Sequence, residues 1–147
     1  MTLLAPITAR RPAIAVSSPY DGQWLADVPE TCVADVQDVL DRARTGVAAA
    51  RALPRHARAS ILDGAAGRIA ADAETFARRI TLEAGKPIRQ ARKEVARCVN
   101  TLRLSADEAR RGGGEVIPFD AFPGSEARQG VFTREPLGLI TAITPFN

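Results

Sequence analysis

The stretch Arg134-Glu135-Pro136-Leu137-Gly138-Leu139-Ile140-Thr141-Ala142-Ile143-Thr144-Pro145-Phe146-Asn147 decides how the rest of the chain is read. Pro136 has no N–H to give to a ladder, so it separates the residues before it from those after it. Leu137 to Ile143 is apolar, partly β-branched and nearly continuous, which predicts a strand buried on both faces of a parallel sheet rather than a half-exposed one. Such a strand needs neighbours, and no other run of this kind occurs in the chain. The stretch therefore reads as the first strand of a sheet whose other strands lie elsewhere.

Working backwards, Gln129 to Glu135 alternates in part and predicts a separate strand, and Pro118 and Pro123 mark a loop before it. Gly112-Gly113-Gly114 lacks a preceding strand and a following Lys-Ser/Thr, so it is a helix stop and not a phosphate loop. Upstream of it the apolar residues step by three and four, the helical period. Val33, Val36, Leu40, Ala43, Val47 and Ala50 predict a first helix with Thr31 as N-cap. Pro54 ends that helix and opens a second with a buried stripe of Ile61, Leu62, Ala65 and Ile69. Asp72 caps a third carrying Phe76, Ile80 and Ala84, which stops at Gly85. Pro87 starts a fourth with Ile88, Ala91, Val95, Cys98, Leu102 and Ala106 on its apolar stripe. At the N-terminal end, Ile14-Ala15-Val16 and Trp24 to Val28 predict a hairpin about the turn Pro19-Tyr20-Asp21-Gly22.

Composition narrows the function. The 147 residues are 46% hydrophobic and 25% charged, an ordinary globular balance that argues against disorder. This length can bury one modest core without staples. Cys32 and Cys98 are too few for a disulfide framework, and with His56 the only histidine no metal site has zinc spacing. Nothing near His56 resembles a nucleophile motif, so His56 reads as an ordinary helix-surface histidine in preference to the base of a Ser/His/Asp or Cys/His triad. Cys98 lies on an apolar stripe and is expected to be a small buried hydrophobe, and Cys32 at a helix start has no base beside it. No apolar run reaches the ~18 residues of a membrane span. Met1 to Pro6 has no charged n-region, and Arg10-Arg11 interrupts any apolar one, which predicts a cytoplasmic protein.

The net charge of +3 is unevenly spread, with ten basic and four acidic residues between Arg78 and Arg111. That stretch reads as a solvated helix face, with Arg110 and Arg111 complementing the negative end of the helix dipole. A small basic interaction or nucleic-acid-binding module is the alternative, but no aromatics interleave with these charges, as stacking on bases would want.

Taken in order, these segments resemble the N-terminal third of the aldehyde dehydrogenase superfamily. Pro19-Tyr20-Asp21-Gly22 is similar to that family's early Asn-Pro-x-Thr/Asp-Gly turn, and Arg58 with Ile61-Leu62 resembles its Arg-x-x-Ile-Leu. Glu83-Ala84-Gly85-Lys86-Pro87 with Glu94-Val95 resembles its Glu-x-Gly-Lys-Pro and Glu-Val pair. Gly114-Glu115-Val116-Ile117-Pro118 is similar to its Gly-Glu-x-Ile-Pro loop. Arg134 to Asn147 resembles its Arg-x-Pro-x-Gly strand and Ile-x-Pro-Trp/Phe-Asn end. Phe146, where many members have Trp, is similar to lactaldehyde, phosphonoacetaldehyde and non-phosphorylating glyceraldehyde-3-phosphate dehydrogenase-type members.

The resemblance implies an α/β protein, here the N-terminal helical portion plus the first strand of a Rossmann-like dinucleotide-binding domain, mostly helical with a few strands. Residues 1–126 would hold the N-terminal strands and four helices, 127–136 an oligomerisation-arm strand, and 137–147 the first strand of the cofactor-binding sheet. It implies oxidation of a small aldehyde to a carboxylic acid with NAD or NADP in a homo-oligomer, with no membrane and no nucleic acid as partner. Asn147 would be the catalytic oxyanion donor, and Thr144, Pro145 and Phe146 would meet the cofactor. The family's glycine-rich turn, general-base glutamate and nucleophilic cysteine have no counterpart among these residues. The chain is thus expected to be the opening part of a longer enzyme, inactive and aggregation-prone by itself.

Overall fold

The computed structural model describes residues 12–144. Two strands come first, β1 (Ala13–Ser17) and β2 (Trp24–Pro29), paired antiparallel from Ala13 opposite Pro29 to Ser17 opposite Trp24, with a bulge between Val16 and Ser17. This is the hairpin expected from the alternating residues on either side of Pro19-Tyr20-Asp21-Gly22. Its turn is closed by the Gly22 N–H donating to the Ser18 carbonyl and the Ser18 N–H donating to the Gln23 carbonyl. Gly22 sits at φ +73°, a conformation that costs a side chain energy and glycine little. The Ser18 hydroxyl, and then the Gln23 N–H, hold the Asp21 carboxyl below its ordinary pKa.

Four helices follow, α1 (Val33–Ala52), α2 (Arg55–Ala71), α3 (Ala73–Ala84) and α4 (Ile88–Arg111). The prolines and Gly85 fall where the sequence places them. Pro54 and Pro87 precede α2 and α4, and Gly85 ends α3 at φ +65° with its N–H on the Thr81 carbonyl. The start of α1 differs by one residue from expectation. Cys32 and not Thr31 is the N-cap, because the Asp35 carboxylate folds back to accept from both the Cys32 N–H at 3.1 Å and the Cys32 thiol at 3.0 Å.

The core lies where α2 and α3 pack on α4. Its buried members are Ala59 and Ala66 of α2, Ala77 of α3, and Ala91, Val95, Val99 and Ala106 of α4. Small side chains let the helix backbones approach closely, and Ile69, Ala73, Ile80 and Ile88 pack around Ala77, Ala91 and Val95. The stripes are rotated slightly from those read in the sequence. Ile61 is 60% and Phe76 44% exposed, while Ala59, Ala66 and Ala77 take the inward positions. On α4 the expectation of a buried Cys98 is corrected: Val99 is buried in its place and Cys98 is exposed. A stripe stepping by three and four fits either residue, and the contact with α2 selects Val99.

Ion pairs tie the helices together. Glu74 of α3 accepts two hydrogen bonds from Arg92 of α4, at 2.9 and 2.8 Å, and one from Arg78. That fork, chiefly the Arg92 hydrogen bonds, lowers the Glu74 pKa to about 2. Arg110 bridges Asp63 of α2 and Asp107 of its own helix, and Arg111 pairs with Glu108.

After α4 the chain forms β3 (Gly114–Ile117), a 3₁₀ turn at Phe119–Ala121, and β4 (Gly130–Thr133). β3 and β4 pair antiparallel, Gly114 opposite Thr133 and Ile117 opposite Gly130. β4 lies within the expected 127–136 strand, whereas Gly114–Ile117, expected as a loop, is a strand. Residues 134–144 make no ladder among the described residues. A strand built for two apolar neighbours has none among the described residues to pair with. The same shortage shows in the surface. No large side chain is fully buried among the described residues.

Candidate active-site segment

The expected site residues sit at the far end of the segment that leaves β4. Its first part is seated on α1. The Arg51 guanidinium of α1 donates to the Glu135 carboxylate at 3.2 Å. Gly138, at φ +97°, faces Val47, and a Cβ built there would lie 3.9 Å from the Val47 side chain. Between α1 and the segment runs a groove of about 510 Å³, lined by Ala43, Val47 and Ala50 on one side, by Pro136 and Leu139 on the other, and by Arg58 of α2. α1 has no buried residue, and Leu40, Ala43 and Val47 on its expected stripe are only half-buried. The 136–140 segment is thus what covers that stripe among the described residues.

Most of the segment is open to solvent, Leu137 included, which is 90% exposed. Ile140 is 68% and Ile143 91% exposed. Thr144 is exposed too, at the carboxyl end of the apolar run, where a dinucleotide-binding sheet places its ligand. Pro145, Phe146 and Asn147 lie outside the described residues. Of the four expected site residues the structure therefore places Thr144 alone.

The motifs that are separate in the sequence meet in space. Pro19 of the hairpin turn lies against Gly85 of the α3–α4 corner, so that a Cβ at Gly85 would come within 3.1 Å of Pro19 Cγ. Lys86 of that corner forms an ion pair with Glu94, the acidic member of Glu94-Val95, and both side chains are largely shielded from solvent. Gly114 to Ile117 and the strand before Arg134 are the two arms of one hairpin, with Arg134 3.9 Å from Glu115. Arg58 stands at the junction of α1, α2 and Pro136, its Nε buried without an acceptor. Arg51 and Arg55 border the same junction and belong to no motif in the sequence, although Arg55 and Arg58 are spaced to share a helix face.

The described residues contain no group of three or more His, Cys, Asp or Glu that could hold a metal ion. None of their helices is long and apolar enough to cross a membrane.

The arrangement of hairpin, helical layer and second hairpin occurs in solved oxidoreductases. Aldehyde dehydrogenase 21 from Physcomitrella patens, solved with the reaction product succinate, superposes with a TM-score of 0.76 at 31% identity, over 86% of this chain and 26% of its own. An NADP-dependent glyceraldehyde-3-phosphate dehydrogenase from Bacillus halodurans, solved with NADP, gives 0.71 at 30% identity, over 78% and 24%. The fold is therefore that of the N-terminal, mainly helical part of an α/β dehydrogenase. Residues 7–147 match the aldehyde dehydrogenase family, and the chain belongs to it. Aspartate-semialdehyde dehydrogenase 1 from Pseudomonas canavaninivorans is 57% identical over 136 residues, which are 92% of this chain and 29% of that protein. The chain thus spans less than a third of the length of the relatives it matches.

Proposed function

We propose that this chain is the N-terminal part of an NAD(P)-dependent aldehyde dehydrogenase acting on a small aldehyde that carries an anionic group. The observation that carries the reading is the match of residues 7–147 to the family, a span that includes Thr144-Pro145-Phe146-Asn147. Three similar proteins bear by name an aspartate semialdehyde, succinate and glyceraldehyde 3-phosphate, each of which carries a carboxylate or a phosphate. Phe146 is similar to members acting on lactaldehyde, phosphonoacetaldehyde and glyceraldehyde 3-phosphate, and two of these three substrates carry an anionic group.

The reaction couples thiolate attack on the carbonyl to loss of hydride, and water then releases the acid from the thioester. A bound nicotinamide supplies the hydride acceptor. Asn147 is assigned to the oxyanion: its side-chain N–H donates to the oxygen that gains charge when the carbonyl becomes tetrahedral. Thr144, with Pro145 and Phe146, is assigned to the cofactor, which its exposure at the end of the apolar run permits. The attacking cysteine and the water-activating glutamate belong to the part of the family's length that these residues do not span. Cys32 and Cys98 do not fill the role, since Cys32 is held by Asp35 at a helix start and Cys98 stands on the outer face of α4. The fold of the relatives also supports a homo-oligomer in which 127–136 contributes to the subunit contact.

The experiment is a substrate panel on the full-length protein, following nicotinamide reduction with NAD and NADP in turn. Aspartate semialdehyde, succinate semialdehyde and glyceraldehyde 3-phosphate should give kcat/KM well above uncharged aldehydes of equal length. Preference for long uncharged aldehydes would overturn the substrate class, and absence of nicotinamide reduction with every aldehyde would overturn the activity.

A further inference from the structure

We infer that the cleft between the start of α2, the Gly112–Gly113 turn and Arg134–Pro136 is a binding site for a phosphate-like oxyanion. The cleft has a volume of about 230 Å³ and is lined by Arg55, Arg58, Arg134, Glu135, Gly112 and Pro136 among others. That is several times the ~30 Å³ share of one water molecule. Three arginines and a single acidic residue line the cleft, and the Glu135 carboxylate is already engaged by a fourth arginine, Arg51. Arg134 has a loose ion pair with Glu115 at 3.9 Å, with both side chains mostly exposed. Neither Arg55 nor Arg58 forms an ion pair with any described residue, and Nε of Arg58 is shut off from water with no acceptor.

Like charges gathered at one spot repel, and a guanidinium N–H removed from water costs free energy unless an acceptor replaces the water. An oxyanion held by the guanidinium N–H groups that reach the cleft relieves the repulsion. Arg55 and Arg58 present planar forks suited to two oxygens of one anion, and Arg134 closes the cleft from the other side. The Arg55 fork is held over the turn, its Nη1 3.1 Å from where a Cβ of Gly113 would stand. A Cβ at 113 would require the fork to give by a few tenths of an ångström.

The site lies at the opposite end of the 136–144 segment from Thr144, and it does not depend on the aldehyde reading. Its test uses no aldehyde and no nicotinamide. The full-length protein is titrated calorimetrically with inorganic phosphate against chloride at matched ionic strength. Saturable binding is expected. Arg58→Gln should weaken it by about tenfold or more, the loss of a charge-assisted fork. Arg55→Gln should do the same and guards against a folding defect of the more buried Arg58 variant. Arg103→Gln, an exposed arginine elsewhere on α4, should leave binding unchanged. Absence of saturable phosphate binding by the folded wild-type protein would overturn the site, as would equal weakening by Arg103→Gln, which would reduce the effect to net charge.

Discussion

Gly85 is where three of the segments that point to the family converge, and its behaviour follows from two features. It ends α3 at φ +65°, and the space a Cβ would need is taken by Pro19 of the hairpin turn. Gly85→Ala should therefore cost about 1–2 kcal/mol for the left-handed backbone alone, before any contact with Pro19 is relieved. Denaturant unfolding of the two proteins measures it, and an unchanged midpoint would contradict the close approach. Gly114 is a stricter case. At φ +122° its Cβ would run into the Phe132 carbonyl of the facing strand, so Gly114→Ala should break the β3–β4 pairing, seen as lost amide protection at Val116 and Val131. The glycines at helix ends are legible in the sequence because capping chemistry is local. That Pro19 is the neighbour of Gly85 is not, since sequence spacing carries no information about which surfaces meet.

Between elements the ties differ in strength, and exposure decides which matter. Arg51 and Glu135 hold the 134–140 segment on α1, but their side chains are 62% and 75% exposed. Arg51→Ala should change stability by no more than about 1 kcal/mol. The Glu74–Arg92 fork between α3 and α4 is a better reporter. Its folded pKa of about 2 lies below the ordinary 4.5, so the charged fork favours the folded state above the ordinary value, and that contribution is lost as pH falls from there through about 2. An NMR titration of the Glu74 carboxyl should give a midpoint near 2, and Arg92→Ala should return it most of the way towards 4.5. A midpoint that Arg92→Ala leaves in place would contradict the fork. At this scale the sequence is a good guide to helices and the first hairpin, whose periods are set by neighbours three, four or two residues away. It errs by one position on the stripes of α2 and α4, where Ala66 is more buried than Ala65 and Val99 more than Cys98, because several rotations of a helix satisfy the same period and packing chooses among them.

Across the whole molecule the apolar surface is out of proportion to the core. Seven described hydrophobic residues are buried, all of them Ala or Val, while Leu137, Ile140 and Ile143 stand in solvent. The sequence of 137–143 carries a strand's residues, but a strand is a relation between chains of atoms side by side, and no partner run exists within these residues. Its reading as a sheet strand thus rests on family register and not on local pattern. The same holds for Asn147, whose role depends on where the attacked carbonyl sits. The most direct measurement of the central claim is the steady-state oxidation of an anionic aldehyde by the full-length protein and its Asn147→Ala variant. An oxyanion donor acts when charge develops, so kcat should fall on the order of 10²–10³-fold with KM little changed. Equal kcat in the two proteins would contradict the assignment of this segment to the reacting carbonyl.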